Sequence, residues 1–231
     1  MDSMSLNPRE GQLAQTAFIN KVYAWMGGAL LLTGLVAALT AATPAVLQAV
    51  IGNRFVFYAL LFGELGLVWF VTARIDSLSG VTATFLFLLY SVLNGLTFSV
   101  IFLAYTASSI GSTFFVTAAT FGVMSLYGYT TKRDLTSMGN LLFMALIGLV
   151  IASIVNIFLG SEMVYWITTY AGVLIFVGLT AYDTQKIKQM ALADFGTAEN
   201  MQKGALMGAL RLYLDFINLF LFLLRLFGRR K

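Results

Sequence analysis

The chain contains no cysteine and no histidine. Without cysteine it has no disulfide, no thiol nucleophile and no thiolate metal site. Without histidine it lacks the commonest catalytic base, the commonest transition-metal ligand and the usual near-neutral proton switch. Any response to pH in that range must come from carboxylates with shifted titration. Charge is scarce as well, at 10% of residues, against about 25% in ordinary soluble domains. In its place the chain is 59% apolar, with a mean hydropathy of +0.87, a composition of the membrane class. The net charge of +4 is what basic residues flanking membrane spans produce. It points to the lipid bilayer as the partner and to no nucleic acid.

Seven apolar runs are present, near residues 22–42, 55–75, 81–104, 110–130, 139–159, 163–183 and 206–227. Each approaches the ~20 residues a helix needs to cross a bilayer. The expected fold is therefore an all-α integral membrane protein, a seven-transmembrane-helix bundle. A polar N-terminal tail, 1–20, precedes a single transmembrane domain, 21–231, and the first run is long enough to be a retained span. Only the link 184–205 reads as longer and polar. With the N-terminus inside, the inner segments hold Arg9, Lys21, Arg74, Lys132, Arg133, Lys186, Lys188, Lys203 and Arg211, and the outer loops hold only Arg54. This is a positive-inside pattern with a cytoplasmic N-terminus. Arg229, Arg230 and Lys231 conflict with it. Either the last segment crosses against its own charge bias or it re-enters and returns.

Polar residues at membrane depth are few and therefore informative. The second span carries Glu64 and Arg74, the sixth ends at Asp183, and the seventh carries Arg211, Asp215, Asn218 and Arg225. Gly208, Arg211, Asp215, Asn218, Phe222 and Arg225 follow steps of 3, 4, 3, 4, 3. Those residues share one helix face, which is expected to point into the bundle or a water-filled cavity, with the opposite Leu, Phe and Ile face able to meet lipid. Gly27, Gly28, Gly34, Gly172 and Gly178 read as sites of close helix approach, and Asn94 and Asn156 as bonds across helices. At ~1.5 Å per residue, Arg74, Asp183 and Asp215 can meet in the inner half of the bundle. Glu64 and Arg225 would form a second ion pair nearer the outer side. The plain reading is that such charges pair and pin helices together. Two carboxylates brought close have a further property: they cannot both ionise comfortably, and they titrate as a pair in separated steps.

The segments GLTAYDTQKIK (178–188) and LYLDFINLFLFLLRLFG (212–228), with SLYGYTTKRDL (125–135), resemble the Bax inhibitor-1 (transmembrane Bax-inhibitor-motif) family, in its bacterial branch. The resemblance covers nearly the whole chain. It implies a seven-helix fold with a central helix and a pH-sensitive calcium leak, in a bacterial inner membrane. It matches Asp183 and Asp215 to a proton-sensing aspartyl dyad and Arg74 to the arginine that latches onto it in the closed state. It also implies calcium as a transported ion held weakly and transiently by Asp183 and Asp215, and no tightly bound cofactor. Calcium prefers oxygen ligands, carboxylates above all, and a weak site suits passage.

Two other functions compete. A regulatory module would bind another membrane protein, a protease or a cell-death factor, and transport nothing. An intramembrane aspartyl protease would also carry Tyr-Asp on one helix, as Tyr182-Asp183 does. Its second motif should read GxGD, whereas this chain has LYLD at 212–215, and the proline-containing motif is missing, since Pro8 and Pro44 are the only prolines. The expectation is a non-enzyme.

Overall fold

The computed structural model describes residues 8–192 and 195–231, with side chains from 12 onward. Among them the chain is helical: α1 Pro8–Ala42, α2 Pro44–Ile51, α3 Arg54–Arg74, α4 Gly80–Phe98, α5 Ile101–Ala104, α6 Ala107–Thr130, α7 Thr136–Leu159, α8 Glu162–Met190 and α9 Ala198–Phe227. Seven stretches are long and apolar enough to cross a membrane, and they coincide with the seven runs in the sequence.

Turn chemistry sets the helix boundaries. Asn53, Ser79 and Thr106 each accept a hydrogen bond from a backbone N–H in the first turn of α3, α4 and α6. These caps satisfy donors that would otherwise be orphaned. Asp134 accepts from the Thr136 amide at 2.9 Å before α7. The hydroxyl and amide of Thr136 hold this exposed carboxyl below the usual carboxylate range. Gly160, at φ 60°, ends α7 in the left-handed region, which only glycine enters at no cost. Threonines within the spans bond to the carbonyl one turn back, as Thr117 does to Thr113 and Thr180 to Phe176 at 2.7 Å. The hydroxyls are thus satisfied where no water reaches.

Two boundaries differ from the sequence reading. The polar link 184–205 is mostly helix, because α8 runs on to Met190 and α9 starts at Ala198. Polarity marks where the apolar layer ends, and helices continue past it. Thr197 starts α9 by accepting from the Asn200 amide at 3.1 Å. The short helix α2 was not anticipated; it starts on Pro44 after Thr43, where proline's missing N–H costs nothing. Residues 1–7 of the expected tail lie outside the described residues, and α1 begins at Pro8.

The described residues fall into two compact units: those up to Leu103 together with those within Ile187–Tyr213, and Ala104–Lys186 with Leu214–Lys231. In the first unit Phe18, Val22, Phe87, Leu212 and Tyr213 are almost wholly buried. Gly95 of α4 has no room for a side chain against Val36 and the Thr33 carbonyl of α1. Thr33 also ties three helices together. Its hydroxyl donates to the Ser91 carbonyl at 2.9 Å, so it accepts from the Tyr213 phenol at 2.8 Å. Thr33→Val keeps the shape and strands both partners. We expect it to cost about 1–2 kcal/mol, read as a lowered midpoint of thermal unfolding in detergent; an unchanged midpoint would show the triad to be idle.

In the second unit the core is Leu149, Ile175, Phe176, Leu179, Leu219 and Leu223. Glycines permit its closest contacts. Gly128 of α6 faces the Ala181 carbonyl of α8, Gly139 of α7 faces the Tyr182 ring, Gly172 faces Phe222 and Gly178 faces Leu142. Gly172 and Gly178 thus serve close approach, as read from the sequence. Gly27, Gly28 and Gly34 do not: the space beside each is open. Asn94 and Asn156 also differ from the expectation. Asn94 donates to Tyr90 of its own helix at 3.0 Å, and Asn156 accepts from the Ser161 amide at 2.9 Å beyond the end of α7. Both amides close local backbone groups rather than joining helices.

The seventh span, α9, has the largest buried share of any span. Its Leu, Phe and Ile face was expected to meet lipid. Instead, on the side opposite the seam, Ile217 and Phe220 are each 8% exposed and Leu224 is 1% exposed. The polar ends of the seam, Arg211 and Arg225, are exposed. A polar stripe on an apolar helix suggests one face outward, but a helix enclosed by its neighbours buries its apolar faces too. The tail beyond α9 is fixed as well. Tyr105 and Arg230 form an antiparallel bridge, Thr106 donates to the Arg229 carbonyl at 3.1 Å, and Lys231 donates to the Ala104 carbonyl at 3.0 Å. The turn it joins lies one full length of α6 away from the α6–α7 loop, roughly 36 Å for 24 residues. Among the described residues, α9 runs as one helix to Phe227 and does not turn back before its end.

Candidate functional site

Asp183 and Asp215 both belong to the second unit. Asp183 lies on α8, half-buried. Because α8 continues for two further turns, this acid sits inside the helix rather than at its end. Asp215 lies on α9 and is 4% exposed. A carboxylate buried this deeply needs a partner or a proton.

Neighbouring residues on α6 place both acids. Next to Asp183, Thr184 donates to the Ser125 hydroxyl at 3.3 Å. Ala181, two residues before it, packs its carbonyl against Gly128. Next to Asp215, the Phe216 ring lies 5.4 Å from that of Phe121 and 5.5 Å from that of Phe114. Phe121 and Ser125 are four residues apart on α6, one helical turn of roughly 6 Å on the same face. The two helices therefore dock their acid-bearing turns at neighbouring levels of a common helix. Gln185 fixes the adjacent turn of α8: it accepts from the Leu135 amide at 2.8 Å and donates to the Arg133 carbonyl at 2.8 Å. That pairing holds the loop before α7 against the stretch that carries Asp183.

The remaining residues singled out in the sequence are distributed as follows. Arg74 is the last residue of α3 in the first unit and is exposed; its carbonyl accepts from the Ser77 hydroxyl at 2.8 Å. Glu64 of α3 is buried and accepts a short hydrogen bond from the Thr97 hydroxyl of α4. Arg211 is exposed in the first unit. Asn218 donates to the Leu214 carbonyl at 2.8 Å and, with Phe222 and Arg225, lines a cavity of the second unit. Arg225 lies over the rings of Tyr165 and Phe222, at 5.9 and 5.3 Å from their centroids. Asn218, Phe222 and Arg225 of the seam thus share one cavity. Sequence reasoning missed the neutral residues that do the positioning: Thr97, Ser125, Phe121 and Gln185. Hydroxyls and aromatics are abundant in every span, so chemistry alone does not single out Thr97 or Phe121, whereas Ser125 and Gln185 lie within the segments 125–135 and 178–188 quoted above.

The helices and their buried acids define a polytopic α-helical membrane protein with ionisable side chains inside its spans. Comparison with known proteins gives the class a family. The family described as inhibitor of apoptosis-promoting Bax1 matches residues 15–231, and the chain belongs to it. It is 54% identical over 227 residues to the inner membrane protein YbhL of Escherichia coli (strain K12), covering 98% of this chain and 96% of that one. It is 43% identical over 219 residues to an uncharacterized protein of Borreliella burgdorferi, covering 95% and 94%. It is 44% identical over 214 residues to the uncharacterized protein RP147 of Rickettsia prowazekii, covering 93% and 90%.

Proposed function

We propose that the chain is a pH-sensitive calcium leak of a bacterial inner membrane, gated by protonation of Asp183 and Asp215 and latched by Arg74. The observation that carries this reading is the docking of both acid-bearing turns at neighbouring levels of α6, with Asp215 only 4% exposed. Two carboxylates on adjacent helices supply hard oxygen ligands for calcium. They are too few to bind it tightly, so an ion entering can also leave. They also supply the proton response that a chain without histidine must draw from acids. In the latched state the charged pair is held by the guanidinium of Arg74; a change in protonation weakens that hold and opens the path. The inner-membrane location accords with the name of the Escherichia coli relative, and a cytoplasmic N-terminus with the distribution of Lys and Arg.

The test is calcium entry into dye-loaded proteoliposomes at several pH values, for the parent chain and for Asp215→Asn. Flux that varies with pH in the parent and is flat in the variant is the expected result. Folded protein with no flux above empty vesicles at any pH would overturn the reading. One observation favours a second reading, a regulator that binds another membrane protein: the description of the family names a protein that is inhibited. Stoichiometric co-purification of a membrane partner from native membranes, with no flux in vesicles, would select it.

A further inference from the structure

At the end of the second unit that holds the chain's tail, a cavity of about 550 Å3 lies among α7, α8 and α9. A second cavity of about 530 Å3 adjoins it and shares Asn156, Tyr165, Arg225 and Arg230. Two guanidiniums converge there on one phenol. Arg225 lies 5.9 Å from the centroid of the Tyr165 ring, and Arg230 donates to the Tyr165 hydroxyl at 3.3 Å. Arg230 is held from behind by the bridge between its backbone and Tyr105. Within the unit, among the described residues, neither guanidinium is paired with a carboxylate. Among the described residues, Glu162 in the adjoining cavity is the one acid lining this region, against two guanidiniums, so the lining carries a net positive charge. Asn156 spends its carbonyl oxygen on the Ser161 amide, which leaves its N–H donors to offer the cavity.

The rest of the lining is different in kind. Leu149 and Phe176 form an apolar floor and belong to the buried core. Val150, Ile154 and Ile157 of α7 form the side wall and are 50%, 52% and 78% exposed. α7 is a membrane span, so an exposed apolar wall on it faces acyl chains. The cavity is therefore cationic and donor-rich at its end and apolar along a flank that opens to lipid. A soluble anion would use only the first feature, and a neutral lipid only the second. Guanidinium groups match phosphate oxygens in geometry as well as charge, so a pair of them at the end of an apolar cleft can hold the headgroup of an anionic lipid.

We infer that this cavity binds an anionic phospholipid, its phosphate between Arg225 and Arg230 and an acyl chain along Val150, Ile154 and Ile157. The site lies apart from Asp183 and Asp215 and does not depend on what those residues do.

The test uses the purified full-length chain in detergent with three probes: short-chain phosphatidylglycerol, phosphatidylcholine of equal chain length, and inorganic phosphate. Binding is read from lipid retained in native mass spectra and from the shift in thermal midpoint. Phosphatidylglycerol should bind saturably, about tenfold or more tighter than phosphatidylcholine. Arg225→Gln and Arg230→Gln should each weaken it by about tenfold. Val150→Trp, which fills the apolar flank, should weaken phosphatidylglycerol and leave phosphate unchanged. Arg133→Gln, a basic residue of the α6–α7 loop, should change nothing. If Arg225→Gln does not fold, Arg230→Gln carries the same test, because Arg230 is exposed on the tail. Equal binding of the two lipids, or binding indifferent to both arginines, would overturn the inference. Phosphate that saturates the site while Val150→Trp leaves phosphatidylglycerol binding unchanged would replace the lipid with a soluble phosphate ligand and overturn it too.

Discussion

Gly128→Ala is expected to destabilise the protein by about 3 kcal/mol or more, although alanine is the better helix former. The added methyl group meets the Ala181 carbonyl oxygen. That atom belongs to a helix backbone and cannot swing aside as a flexible side chain would. To make room, α8 must move away from α6, which also breaks the hydrogen bond of Thr184 to Ser125 and displaces the turn that carries Asp183. Gly122→Ala on the same helix is the contrasting substitution: nothing lies within 4 Å of its added methyl, so propensity alone decides, and a small gain of up to about 1 kcal/mol is expected. Thermal unfolding in detergent checks both. The midpoint should fall by roughly 6–12 °C for Gly128→Ala and hold or rise for Gly122→Ala. Equal behaviour of the two would mean that α6 and α8 are not in the close contact described.

The second large effect concerns the acids. A gate controlled by one proton changes its open fraction by at most about tenfold per pH unit. Asp183→Asn and Asp215→Asn should each reduce that ratio to near one. The double variant decides whether the two act as a unit. Acids that share one gating proton lose their pH response when either is removed, so the double variant should resemble either single one. Independent acids would each leave half of the response, and only the double variant would be flat. Arg74→Gln is distinct from both: it should raise flux at the pH where the parent is shut and retain part of the pH dependence. The measurement is initial calcium entry across a pH series in proteoliposomes carrying equal amounts of folded protein. A full pH response in both single variants would sink the dyad assignment.

The sequence showed the spans because a bilayer imposes length and apolarity on any helix that crosses it, and Arg54–Ser77 or Thr136–Leu159 satisfy that rule without ambiguity. It showed Asp183 and Asp215 because a charge in such a stretch is conspicuous against its neighbours. It gave the wrong surroundings for α9, whose apolar side chains look the same whether they face lipid or protein; Leu224 could be assigned to either by its chemistry, and only packing decides. The 184–205 link was misjudged for a related reason. Lys186, Lys188 and Glu199 mark the edge of the apolar layer, and hydropathy carries no information on where a helix stops. Gly27 and Gly128 are the same residue in the same kind of span, yet one faces open space and the other a carbonyl oxygen. The cavity at Arg225 and Arg230 depends on residues from three helices and a tail, an arrangement that no local pattern encodes.

The burial of α9 has a consequence for how the molecule is made. This helix follows the other six spans in the chain, and it supplies Leu212 and Tyr213 to one core and Leu219 and Leu223 to the other. As each earlier span leaves the translocon, its inward side must wait in lipid, with hydroxyls such as Thr33 lacking their final partner. Neither core closes until the seventh insertion is complete. Biogenesis should therefore end in one late, cooperative step, and a chain interrupted before α9 would be six inserted helices without a finished interior, the kind of substrate that membrane quality-control proteases remove.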